Sequence, residues 1–193
     1  MEQKEIEHLS FGTVESVENV LVRIRTNDGI VGWGESSPEP RVTGDNQASN
    51  IVAGKQLAEV IRGQDPFDIP KIVAAMDKKT SGEPGIKAAL EMAVWDICGK
   101  AAGQPVRCLL GNWRDSFETD ITVYLDAPQI MAERAKAYLG AGFKTIKVKL
   151  GETPDADIAR LRAIREAVGK DVFLRIDANQ GWNPTDAIRA LRA

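Results

Sequence analysis

Lys144-Thr-Ile-Lys147-Val-Lys149-Leu-Gly151 and Val172-Phe-Leu-Arg-Ile-Asp177-Ala-Asn179-Gln-Gly181-Trp182 read as two strands, and between them Asp155 to Val168 reads as a helix. Side chains alternate faces along a strand. Thr145, Lys147 and Lys149 therefore share one face of the first strand, opposite Ile146, Val148 and Leu150. In the second, Phe173, Arg175, Asp177 and Asn179 oppose Val172, Leu174 and Ile176. Each strand has an apolar face for helices to cover and a charged face, with the charges gathered at the C-terminal end. In a parallel α/β barrel that end carries the chemistry.

Working outward, the same alternation extends to both sides. Asp120 to Leu125 reads as a strand and Gln129 to Ala141 as a helix, and a further helix starts at Thr185. Pro128 and Pro154 stand at helix starts, and Gly142 and Gly169 close helices, the usual punctuation. Strands and helices alternating at this spacing predict βαβ units on a parallel sheet.

The first half has a different rhythm. Val14 and Val20 to Arg25, the turn Asn27-Asp28-Gly29 and the return strand Ile30 to Glu35 predict a β-hairpin over 13–34. A hairpin alone is marginal, so a third strand is expected beside it. The polar, acidic residues before it are poor material, which suggests that a first strand is missing or replaced. A loop over 36–46 leads to a helix capped by Asn46 or Ser49 and running to about Arg62, with Ile51, Leu57, Ala58 and Ile61 facing inward. Asp68 is expected to cap a helix to Lys79. Gly85 to Ala102 is a small-residue helix marked by Ala88, Ala89, Met92, Ala93, Trp95 and Asp96, followed by a last turn over Val106–Leu110. The expected fold class is α/β with an α+β cap: a cap over 1–112, then three β/α units over 113–193.

The bulk numbers exclude several function classes. A chain of 193 residues that is 43% apolar and 27% charged belongs among globular proteins. Its net charge of −3 offers no basic footprint for nucleic acid or for a membrane surface. No apolar run approaches the roughly 18 residues of a membrane span, and Met1-Glu-Gln-Lys-Glu5 is not the start of a signal peptide. Cys98 and Cys108 lack metal-binding spacing and read as buried free thiols, which suits a reducing cytoplasm. His8 is the only histidine and is expected to be solvated, so no Ser-His-Asp or Cys-His arrangement is available.

Lys147-Val-Lys149 followed by Asp177-Ala-Asn179-Gln-Gly-Trp182 resembles the muconate-lactonizing branch of the enolase superfamily, most of all its dipeptide epimerases, such as those acting on L-Ala-D/L-Glu. Gly32-Trp-Gly34-Glu35 with Thr43-Gly44-Asp45, the Ala88–Asp96 helix with Gly103-Gln-Pro105 and Leu109-Leu-Gly111, and Thr119-Asp-Ile-Thr122 match further landmarks. The resemblance implies an α+β cap on a (β/α)7β barrel of TIM type that abstracts the proton α to a carboxylate. It implies Lys149 as the base, Lys147 against the substrate carboxylate, and Asp177 as the first of three acidic Mg2+ ligands. Thr122 would line the substrate pocket and Asn179 would stand near the metal. A free lysine titrates near 10.4, and a neighbouring ammonium and a divalent cation both disfavour its charged form. Mg2+ and Lys147 would stabilise the enediolate.

The chain departs from the family in two places. A barrel of this type needs about 250 residues, so the chain is expected to be truncated, lacking the other metal carboxylates and the opposing lysine. The isolated chain is then expected to be inactive, with an open sheet edge that favours self-association. At the front, Glu7-His-Leu-Ser-Phe11 stands where family members carry a longer strand and loop. A muconate cycloisomerase or an o-succinylbenzoate synthase would use the same lysines and metal. An inactive truncated chain with a partner-binding role is the reading outside enzymes. The bland alternatives are solvated lysines on an edge strand, a turn-capping Asp177, a structural Arg175 and core aromatics at Trp95 and Trp182. Glu35 is read as a loop residue without a catalytic role, and Glu133, Asp157 and Glu166 as solvated helix faces.

Overall fold

The computed structural model describes residues 7–9, 12–14 and 16–193. It divides into two compact units, one of Val17–Asp115 and the other of Ser116–Ala193 with the described residues before Val17.

In the first unit β3 (Val20–Arg25) and β4 (Val31–Ser36) form an antiparallel hairpin, with Arg23 opposite Trp33. Three helices cover it: α1 (Gln47–Ile61), α2 (Ile69–Lys79) and α3 (Pro84–Ala101), followed by the short α4 (Val106–Leu109). α1 begins with a capping box: the Asn46 side chain accepts from Ser49 N–H and the Ser49 hydroxyl accepts from Asn46 N–H. Asp68 occupies the cap position of α2 but makes no side-chain capping bond; its carboxylate lies 3.8 Å from Lys71 instead.

The packing of α3 on β4 depends on residues with almost no side chain. Gly32 and Gly34 share one strand face, and Ala89 and Ala93 lie one turn apart on α3 and are fully buried. A Cβ at Gly34 would stand 1.8 Å from the carbonyl oxygen of Ala89, and one at Gly32 would stand 2.0 Å from that of Ala93. The helix also covers the outer edge of β4. Asp96 accepts from Trp33 N–H at 2.9 Å, and Lys100 donates to the Val31 carbonyl at 2.7 Å. Side chains of a helix thus satisfy an edge that a further strand would otherwise pair.

Several expectations for this half need correction. Among the described residues the sheet is two-stranded, and the hairpin begins at Val20, not at 13. Val14 belongs to a separate pair, β1 (Glu7–Leu9) with β2 (Gly12–Val14). The side chain of His8, and all of Ser10 and Phe11, lie outside the described residues. Glu35 sits within β4, not a loop, and accepts from Asn19 Nδ2 at 2.6 Å. The buried stripe of α1 is Asn50, Ala53 and Leu57, and Ile51 is exposed. A buried polar cluster turns Asn50 inward: Asn50 Nδ2 donates to Asp45 at 2.6 Å, and Ser36 donates to Asn50 Oδ1 at 2.5 Å. On α3, Ala88 and Met92 face solvent.

The second unit is a three-stranded parallel sheet ordered β5 (Ile121–Val123), β6 (Thr145–Lys149) and β7 (Phe173–Asp177). The helices α5 (Pro128–Gly140) and α6 (Pro154–Val168) connect the strands, and α7 (Pro184–Arg192) follows β7. Ile146, Val148 and Leu150 are fully buried against Met131, Ala135 and Ile164. The other face is left to the charged residues.

Candidate active site

Strand register assembles the site. Thr122, Lys147 and Arg175 form one cross-strand row, and Lys149 and Asp177 form the next row on the same face, at the C-terminal ends of β6 and β7. Asp177 Oδ2 lies 2.9 Å from Lys149 Nζ and 3.0 Å from Lys147 Nζ. Lys149 also donates to Asn179 Oδ1 at 2.9 Å, and the Asn179 N–H donates to Asp177 Oδ1 at 3.0 Å. Four of the five residues singled out in the sequence therefore meet. Thr122 lines the same face beside Lys147, but among the described residues no hydrogen bond joins it to Lys147 or Asp177. Arg175 turns away to Asp120, 2.5 Å distant, as expected of a structural cation.

Lys149 is 8% exposed, which rules out the solvated edge-strand lysine. Burial by itself would raise the Asp177 carboxyl. Hydrogen bonds from Lys149, then Lys147, and then the Asn179 backbone overcome it and hold the group at about 2. A depressed carboxyl adds stability that is fully present above its ordinary value of 3.8 and is lost as pH falls through about 2. The stability gap between the native protein and Asp177→Asn is therefore expected to be constant near neutrality and to narrow between those two values. Denaturant midpoints across acid pH check this, and a gap that stays constant down to pH 2 would refute it.

Both Asp177 oxygens are anionic and face the same region as two ammonium groups. Mg2+ takes oxygen ligands and usually one or two protein carboxylates with several waters. Asp177 fits one such ligand position. Among the described residues no three His, Cys, Asp or Glu side chains cluster as a metal site. The remaining ligand positions would need oxygens from outside this group.

One site residue was misread from the sequence. Asp157, expected on a solvated face, is fully buried. Its signal was present: the buried positions of α6 are Asp157, Arg160, Ile164 and Val168, a stripe at helical spacing. Trp182 packs on the sheet core as expected and donates its indole N–H to Asp157. Cys98 and Cys108 are free thiols, with Cys98 buried. No helix among the described residues is long and apolar enough to cross a membrane.

Comparison with known proteins shows the family of the chain. Residues 2–111 match the profile of the mandelate racemase / muconate lactonizing enzyme N-terminal domain, and residues 130–193 match that of the enolase C-terminal domain-like family. A hydrophobic dipeptide epimerase of Enterococcus faecalis is 42% identical over 98% of this chain and 54% of its own length. The L-Ala-D/L-Glu epimerase of Bacillus subtilis is 41% identical over 93% of this chain and 50% of its own. The crystal structure of the Enterococcus faecalis dipeptide epimerase with Mg and L-Leu-L-Tyr superposes with a TM-score of 0.95, covering 98% of this chain and 53% of that one. The chain spans about half the length of the curated relatives it matches.

Proposed function

The chain belongs to the mandelate racemase / muconate lactonizing enzyme family, and on that premise we propose that it supplies one face of a Mg2+-dependent dipeptide epimerase. The observation that carries the proposal is the meeting of Lys149 with Asp177 and Asn179 at adjacent strand ends. We assign the enolase-like α+β cap to 1–112 and the first β/α units of the barrel, which carry these residues, to 113–193.

Lys149 is the base in this reading. Its neutral amine takes the proton α to a dipeptide carboxylate, and the C–H electron pair moves into the enediolate. Lys147, one row back on the same face, faces the substrate carboxylate and balances the added charge. Thr122 lines the pocket beside it. Asp177 would hold Mg2+, which when bound supplies positive charge to the substrate carboxylate. Asn179 orients both Asp177 and Lys149. Proton return to the opposite face of the carbon needs a second acid that the described residues do not place here. The buried thiol of Cys98 suits a reducing cytoplasm.

The test is deuterium exchange: L-Ala-L-Glu in D2O with Mg2+, followed by NMR. It is run with the 193-residue chain and with a chain carrying it at the relatives' full length. Deuterium at the glutamyl α-carbon with the longer chain, and none with the shorter, is the expected result. No exchange with either would sink the dipeptide assignment and bring the cycloisomerase or synthase chemistry forward.

A second reading rests on the outer edge of β7. Among the described residues it pairs with no strand, and Leu174, Ile176 and Leu191 line an apolar groove beside it. Under that reading the chain acts by association through this edge, as a homo-oligomer or with a partner. Sedimentation of a monomer at all concentrations would count against self-association.

A further inference from the structure

Asp157 is the buried acid for which the proposed proton transfer has no use. Its Oδ2 accepts from Gly151 N–H at 2.9 Å and from Trp182 Nε1 at 2.8 Å, and its Oδ1 accepts from Arg160 Nη1 at 2.9 Å. Arg160 donates Nε to the Asp126 carbonyl at 2.9 Å and Nη2 to Glu152 Oε2 at 2.5 Å. These partners lie on the three segments that leave the C-terminal ends of the strands: Asp126 after β5, Gly151 and Glu152 after β6, and Trp182 after β7. One ion pair on α6 therefore holds all three.

The last two segments also touch directly. A Cβ on Gly181 would lie 2.2 Å from the Gly151 carbonyl oxygen, so only glycine lets the backbones meet. Gly151 follows Lys149 by two residues, and Gly181 follows Asn179 by two. Between Asp177 and Gly181, Asn179 and Gln180 are both left-handed, with φ of 44° and 61°. Non-glycine residues persist there only where the surroundings enforce it.

From this geometry we propose that Asp157, with Arg160 and Trp182, is a positioning device that locks the segment after β6 to the segment after β7 and so sets Lys149 against Asp177 and Asn179. The physical argument concerns freedom of movement. A lysine ammonium stands at the end of four rotatable bonds, and its position is only as sharp as the backbone beneath it and the acceptors in front of it. Asp177 and Asn179 are the acceptors, on one strand, and Lys149 is the donor, on another. A carboxylate with three donors and no exposed surface ties the two backbones together just beyond the site. An aliphatic side chain would fill the same space without linking them. The inference deepens the reading above by taking Lys149 as the base, but the placement of its ammonium can be read without any substrate.

Trp182→Phe keeps an aromatic ring, smaller than the indole, and removes the hydrogen bond from Trp182 Nε1 to Asp157. Asp157→Asn keeps the shape and removes the charge. On the 193-residue chain at fixed neutral pH, NMR reads the coupling across the hydrogen bond from Lys149 Nζ to the Asp177 carboxyl carbon, and the solvent exchange of the Lys149 ammonium hydrogens. Lys87, which donates to Asp77 at 2.8 Å and to the Thr80 carbonyl at 2.7 Å in the other unit, is the internal reference. In folded Trp182→Phe the coupling is expected to vanish, and Lys149 exchange to quicken roughly tenfold, as loss of a charge-assisted hydrogen bond allows. Lys87 should not change. Both Lys149 signals unaltered in folded Trp182→Phe, with only the thermal midpoint lowered, would reduce Asp157 to a structural brace and overturn the proposal. If Asp157→Asn does not fold, Trp182→Phe decides alone. Failure of the epimerase reading would show separately, in the deuterium exchange.

Discussion

Gly34→Ala unseats α3 from β4 and destabilises the 17–115 unit by at least about 3 kcal/mol, at or above the upper end of ordinary overpacking. The new methyl would stand 1.8 Å from the Ala89 carbonyl oxygen and 2.8 Å from its carbon. Both are backbone atoms of a helix, so no side chain can turn aside. The helix must withdraw, and in withdrawing it loosens the bonds from Asp96 and Lys100 to the edge of β4. Gly54→Ala is the control. There the nearest atoms are Ile86 Cγ1 at 3.0 Å and Cδ1 at 3.2 Å, side-chain atoms that need give by only a few tenths of an ångström, and alanine improves helix propensity by up to about 1 kcal/mol. Urea midpoints of the two variants, with amide exchange in α3 to localise the change, decide the matter. Equal losses would mean that the close approach is not what makes Gly34 necessary.

Lys149→Ala slows α-proton exchange by about 10²–10⁴-fold, the usual contribution of a positioned general base. The measurement uses whichever form of the protein exchanges deuterium into L-Ala-L-Glu. On the proposed reading Lys147→Gln is expected to act differently: a weaker hold on the substrate carboxylate raises KM along with any fall in kcat. Lys149 and Lys147 both contact the same Asp177 oxygen, and Lys149 also bonds Asn179. Exchange that survives Lys149→Ala within a factor of a few would remove Lys149 from the chemistry and leave it a structural partner of Asp177.

Much of this was legible in the residues. Lys147, Lys149 and Asp177 could be placed on one face because a strand's period of two admits no alternative once the apolar residues Ile146, Val148 and Leu150 claim the other. Proline before and glycine after the helices marked the β/α units to within a residue or two, as at Pro154 and Gly169. The charged ends of two successive parallel strands pointed to chemistry before any side chain was placed. Trp182 was correctly read as a core aromatic, although its indole bond to Asp157 was not foreseen.

The errors share one cause. Apolarity as the guide to burial turns Ile51 inward and passes over Asn50, whereas Asn50 is buried and Ile51 exposed. The structure buries Asn50 because Ser36 on β4 and Asp45 just ahead of α1 satisfy its amide. The same guide places Asp157 in solvent, whereas Arg160 on its own helix, Gly151 after β6 and Trp182 after β7 satisfy it in the interior. A hairpin alone is weak, and α3 supports this one by covering the edge of β4 with the side chains of Asp96 and Lys100. The order of elements, the strand faces and the residues available for chemistry follow from local periodicity and backbone geometry, so the chain's own residues settle them. Which polar groups are buried, which glycines are indispensable and how the strand ends are held depend on packing, because a buried polar group is tolerated only where folding brings it hydrogen-bond partners.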